Sequence, residues 1–96
     1  MIKIKISNDT IIVEGHALFD EYGKDIVCAS VSSIAITSIN AILRIDEEAI
    51  ECLQDEGFIE VKIKKHSEVI DVLLENMISL FKELESQYKE NIKIYE

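Results

Sequence analysis

The chain has 96 residues, with nineteen acids against ten Lys and Arg and a formal net charge of −9. That length makes one domain, enough for a two-layer core and too short for a second. The charge excludes the basic face a nucleic-acid binder needs to displace phosphate counterions, so no direct nucleic-acid partner is expected. It suits a basic protein partner, although most of the acids read as a solvated surface.

There is no proline and only three glycines, so elements should be long and connections few. The first residues, MIKIKIS, are too short and too alternating for a signal peptide. Two cysteines without a secretion signal point to a reduced, cytoplasmic setting.

Ile2, Ile4 and Ile6 alternate with Lys3 and Lys5, the period of a half-buried strand. Ser7-Asn8-Asp9 is turn chemistry. Thr10 to His16 is a second β-branched run, so residues 1–16 read as a hairpin. Gly15 near its end marks a bulge or a close backbone approach. Residues 17–24 read as an irregular loop, and Asp25 is a good N-cap for the element that follows.

Residues 26–43 carry no charge, and their length meets the criterion for a membrane span. Six of them are Ser, Thr or Asn, and no basic flank sets an orientation. A buried central helix, and no membrane, is the expectation. Its β-branched residues favour strand by propensity, but eighteen residues exceed normal strand length.

Residues 45–53 are ambiguous between strand and helix. Gln54 to Gly57 reads as a turn. Phe58 to Lys64 alternates again and is a strand, paired most simply with residues 47–53. Ser67 is placed to cap a last helix, in which Ile70, Leu74, Met77, Phe81, Leu84 and Tyr88 fall on one face. That spacing is also heptad-like, but the run is too short to argue a coiled coil over ordinary packing. Ile92 to Tyr95 is a possible short closing strand. The order β-β-α-β-β-α, with that possible final strand, predicts an α+β two-layer sandwich with a mainly antiparallel sheet and two long helices.

Two side chains carry candidate chemistry. A thiol and an imidazole are the minimum apparatus for thiolate catalysis. Cys28 falls in the first turn of the predicted helix, where the dipole favours a thiolate. His16 ends the second strand. Taken alone, Cys28 is as well explained as a small core hydrophobe, and His16 as an ordinary surface residue. His66 competes for the histidine role, but Lys65-His66-Ser67 looks like an exposed junction. Cys52 reads as a structural thiol. Two Cys and two His lack the paired spacing of a zinc site.

The words Gly15-His16-Ala17 and Gly23-Lys24-Asp25-Ile26-Val27-Cys28-Ala29-Ser30-Val31-Ser32 decide between these readings. They resemble the signature of the ribosomal-processing cysteine proteases called Prp, over about residues 14–43. The resemblance implies that Cys28 is the nucleophile and His16 the general base and acid. It also implies a substrate: a basic ribosomal protein of the bacterial large subunit, from which an N-terminal extension is removed. No cofactor is implied, and similar proteins tend to form homodimers.

Supporting positions stay open. Asp25 either caps the helix or orients His16, and a carboxylate beside the thiol would oppose its ionisation. Ser32, one turn after Cys28, either contacts substrate or the dyad, or bonds back to its own helix. Gly15 and Gly23 flank a segment that reads as a loop closing over the dyad, with Phe19 and Tyr22 lining an apolar subsite. Backbone N–H groups near Cys28, its own included, are expected to hold the oxyanion. The alternative from another class is a non-catalytic acidic binding module for a ribosomal protein or an assembling subunit.

Overall fold

The computed structural model of the chain describes residues 1–15 and 25–96. The expectations attached to His16, Phe19, Tyr22, Gly23 and the 17–24 loop lie outside the described residues. Seven elements follow in chain order: β1 Ile2–Ile6, β2 Thr10–Gly15, α1 Ile26–Ile45, β3 Ile50–Asp55, β4 Phe58–Ile63, α2 Glu68–Gln87 and β5 Ile92–Tyr95. This is the α+β arrangement read from the sequence.

The strands form one sheet in the order β3-β4-β2-β1-β5. Three of its pairings are antiparallel. The sheet is thus mainly antiparallel, as expected, and the fourth pairing is the exception: β5 lies parallel to β1, Ile2 opposite Ile92 and Ile4 opposite Ile94. The reason is topological. The α2 crossover returns the chain to the β1 end of the sheet, and a helical crossover delivers a parallel strand. The sheet is therefore mixed.

Period-2 alternation decides the faces. Ile2, Ile4, Ile11, Val13, Ile59, Val61, Ile50 and Ile92 point to one side and are buried. Both helices cover that side. Lys3, Lys5, Glu14, Glu60 and Lys62 point to the other, where Lys5 and Glu14 pair at 2.8 Å. The partners in that pair are well exposed, so it adds little stability.

The α2 stripe is as the spacing requires. Ile70, Leu74, Met77 and Phe81 are buried in the chain's own core, and Ser67 caps the helix, its hydroxyl accepting from the Ile70 N–H at 3.2 Å.

α1 departs from expectation in two ways. It runs two residues past 43, taking in Arg44, whose cation suits a helix C-terminus. It is also buried on one stripe only, Val27, Val31, Ala35, Ile39 and Ile42. Its outer face, with Ala29, Ser33, Ile36, Thr37 and Asn40, is exposed. By length and composition α1 alone among the described helices is apolar enough to cross a membrane, yet its buried stripe packs into this core.

The ambiguous stretch resolves into a helix end, a turn and β3. The strand starts at Ile50 rather than 47, because the turn after it is shorter than Gln54 to Gly57. Asp55 pairs with Phe58 and Gln54 with Ile59, leaving Glu56-Gly57 as a two-residue turn. Gly57 takes φ +66° there, a left-handed conformation that costs glycine little.

Candidate active site

The site is built around the first turn of α1. Asp25 is the N-cap, in extended conformation. Its Oδ1 accepts from the Val27 N–H at 2.9 Å and the Cys28 N–H at 3.1 Å. Its own carbonyl accepts from the Ala29 N–H at 3.1 Å. Two donors that a helix start leaves unpaired are thus satisfied by one side chain, and the carbonyl of the same residue accepts the first intrahelical bond. Of the two readings of Asp25, the cap is present, and the orienting of His16 lies outside the described residues. One expectation is corrected: the Cys28 N–H is donated to Asp25, so it does not stand free to hold an oxyanion.

Cys28, half-buried, opens onto a cavity of about 230 Å³. Val31 and Ser32 form the α1 wall, Gly15 closes it at the end of β2, and Gln54, Asp55, Glu56 and Phe58 form the far wall. Ser32 is exposed. Ser30 and Ser38 bond back to the carbonyls of Ile26 and Ile34. Among the described residues the Ser32 hydroxyl makes no such bond, so it remains a donor at the cavity.

Gly15 is fixed by its surroundings. Its φ is +94°, and its N–H donates to the Gly57 carbonyl at 2.9 Å. A Cβ at this position would collide with the carbonyl oxygen of Met1. Only glycine fits both the conformation and the space. The close approach expected of Gly15 is present, and it ties the end of β2 to the β3–β4 turn.

His66 is elsewhere. It lies with Ile6, Ser7 and Ile11, whereas the Cys28 cavity meets Ile2 and Val13. Those are opposite ends of β1 and β2, roughly 13 Å apart at the rise of a strand. Its ring nitrogens lie 2.7 Å from Asp71 and 3.3 Å from Asp9, and these carboxylates raise its pKa above the usual histidine value. Cys52 is half-buried on β3, and burial pushes its thiol up, which disfavours the thiolate.

The residues that sequence reasoning missed are those of the far wall. Gln54, Asp55, Glu56 and Phe58 stand far from Cys28 in the chain. They reach it only because β4 pairs with β2 in a register that sets Phe58 against Glu14. No local signal beyond the turn glycine announces them.

Comparison with known proteins agrees with this geometry. The family model for the cysteine protease Prp matches residues 1–93. The ribosomal processing cysteine protease Prp of Staphylococcus aureus is 31% identical over 87 residues, covering 88% of this chain and 82% of that protein. The S. aureus protease has been solved in complex with a covalently linked product peptide. That structure superposes with a TM-score of 0.87 at 28% identity, covering 98% of this chain and 95% of that one. A second structure, with a substrate peptide, gives 0.81 at 27% identity over 99% and 97%. A match of this extent, on a fold that brings a capped helix start and a thiol to one cavity, places the chain in the Prp family of cysteine proteases.

Proposed function

We propose that this protease cuts the N-terminal extension from a basic ribosomal protein of the large subunit, with Cys28 as nucleophile and His16 as general base and acid. One observation carries the assignment of residues. Cys28 lies in the first turn of a capped helix and opens onto a cavity whose wall includes Gly15, the residue bonded directly to His16.

In this reading His16 takes the thiol proton and the thiolate attacks the scissile carbonyl carbon. The C–N bond then breaks as His16 returns the proton to the departing amine. Water, deprotonated by His16, adds to the thioester, and cleavage of the C–S bond releases the carboxylate and restores the thiol. The covalently linked product peptide of the S. aureus relative supports such a covalent route. With the Val27, Cys28 and Ala29 amides bonded to Asp25, the Ser32 hydroxyl and the Gln54 amide are donors that the described lining of the cavity offers to substrate or oxyanion. The net charge of −9 and the acids Asp55 and Glu56 at the cavity rim suit a basic substrate.

The test is cleavage of a synthetic peptide spanning the extension and the first residues of the mature ribosomal protein. Cys28→Ala and His16→Ala should abolish cleavage, and Cys28→Ala should still bind the peptide. Cleavage by Cys28→Ala at the wild-type rate would overturn the assignment. The binding-module alternative gives way to the family, which is one of proteases.

We further propose a homodimer acting in the cytoplasm. The outer face of α1 is free of charge from Ala29 to Asn40, with Ile36 38% exposed, the kind of surface a second copy covers in a closed pair. Sedimentation at twice the 10.9 kDa chain mass is the expected result. A single-chain mass at high micromolar concentration refutes the dimer.

A further inference from the structure

Among the described residues, β3 has a free edge that begins at the Cys28 cavity, and its hydrogen-bonding phase follows from the hairpin. A two-residue turn makes its flanking pair exchange both main-chain hydrogen bonds. Asp55 and Phe58 flank Glu56-Gly57, so the bonded pairs continue through Leu53 with Glu60 and Glu51 with Lys62. Two observations check the phase. The Lys64 N–H donates to the Ala49 carbonyl at 2.7 Å, next in that series. On the other side of β4, the Gly57 carbonyl accepts from Gly15 and the Ile63 N–H donates to Asp9. The main-chain groups of Cys52 and Gln54 therefore point outward, where no described strand lies.

The opposite edge is closed. On β5 the outward N–H of Ile94 donates to the Glu85 carboxylate of α2 at 2.8 Å. An edge strand with unpaired donors and acceptors is a template for another strand, and folds usually block such edges. Here the blocked edge is remote from the thiol. The open one bears Gln54, which lines the same cavity as Cys28.

We propose that the substrate peptide docks in extended form as an added strand on the free edge of β3, bonded to the main chain of Gln54 and Cys52, with its scissile end over Cys28. This rests on the proteolytic reading above and names how that site holds its substrate. The open segment matches roughly three or four peptide residues at a rise of ~3.3 Å each. Main-chain bonds supply affinity in such docking, and alternate side chains supply selectivity. On β3, one set of peptide side chains faces α1 and Ser32. The other set lies beside Leu53, which is 59% exposed.

Amide exchange tests this on full-length, isotopically labelled Cys28→Ala, with and without the synthetic peptide cleaved by the wild type. Binding should slow exchange at Cys52 and Gln54 by about tenfold or more, as for amides newly protected in a strand, while Leu53, already bonded to β4, changes little. Peptide binding without slowing at these two amides overturns the proposal. Slowing that needs no peptide and grows with protein concentration also overturns it, because the edge then pairs with a second copy. A second measurement uses Gln54→Pro, which removes only an outward N–H and is tolerated on an edge. Its KM should rise by roughly tenfold, the worth of one well-made bond, beyond any change in Gln54→Ala. Equal KM in the two variants counts against strand docking. If the wild type cleaves no such peptide, the proteolytic reading of the substrate fails. Cleavage with unprotected edge amides sinks the docking mode alone.

Discussion

At the scale of single residues, the two thiols differ in surroundings and should differ in reactivity. Cys52 is held up by burial in the sheet, whereas Cys28 lies in the first helical turn at an open cavity. Alkylation near neutral pH should modify Cys28 faster, and His16→Ala should slow it. Equal rates at both thiols, indifferent to His16, would remove the activation argument. Gly15 makes an independent prediction. Gly15→Ala imposes a strained backbone costing about 1–3 kcal/mol before the contact with Met1 is counted. It should lower the unfolding midpoint and reduce cleavage together, because the same residue anchors the chain beside His16. A stable variant with full activity would show that the end of β2 is not a critical support.

At the scale of elements, α1 depends on one cap. Asp25→Ala frees the Val27 and Cys28 amides and should cost ~1 kcal/mol, the usual worth of an N-cap. Asp25→Ser restores a hydroxyl acceptor and should recover most of that stability. If activity follows stability through both variants, capping explains Asp25. If Asp25→Ser is stable yet inactive, the carboxylate also acts on the site. α2 shows how periodicity settles packing: the stripe from Ile70 to Phe81 belongs to this chain's core, so its heptad-like spacing needs no partner helix. Phe81 is fully buried, and Phe81→Ala should cost about 3–5 kcal/mol without changing which bond is cut.

At the scale of the whole molecule, His66 joins distant parts. It stands between Asp9 of the β1–β2 turn and Asp71 of α2, and its folded pKa is raised by those partners. A raised histidine contributes stability that is fully present below its unfolded value of 6.5 and fades as pH rises through the folded value. Thermal unfolding should therefore show a larger advantage of the wild type over His66→Gln at pH 5.5 than at pH 8.5. A difference constant with pH would mean that the contacts are maintained without the charge. Because His66 stands at the far end of the sheet from Cys28, cleavage per folded molecule should be insensitive to its loss.

The sequence by itself determined the elements with clear periods, both helix caps, the glycine at the close approach, and the words around Cys28 that carried the family. These are local: alternation, i to i+4 spacing and capping act over a few residues and are written where they act. Tertiary structure alone decided the parallel β5, the start of β3 and the far wall of the cavity, because strand register and crossover direction are settled by distant partners. Gln54 and Glu56 look like ordinary turn residues until β4 pairs with β2. The amide of Cys28 is available to an oxyanion until the Asp25 rotamer claims it. The outer face of α1 shows the same limit. Its lack of charge reads as burial in one dimension, but a helix has two sides, and one sheet can cover only one of them.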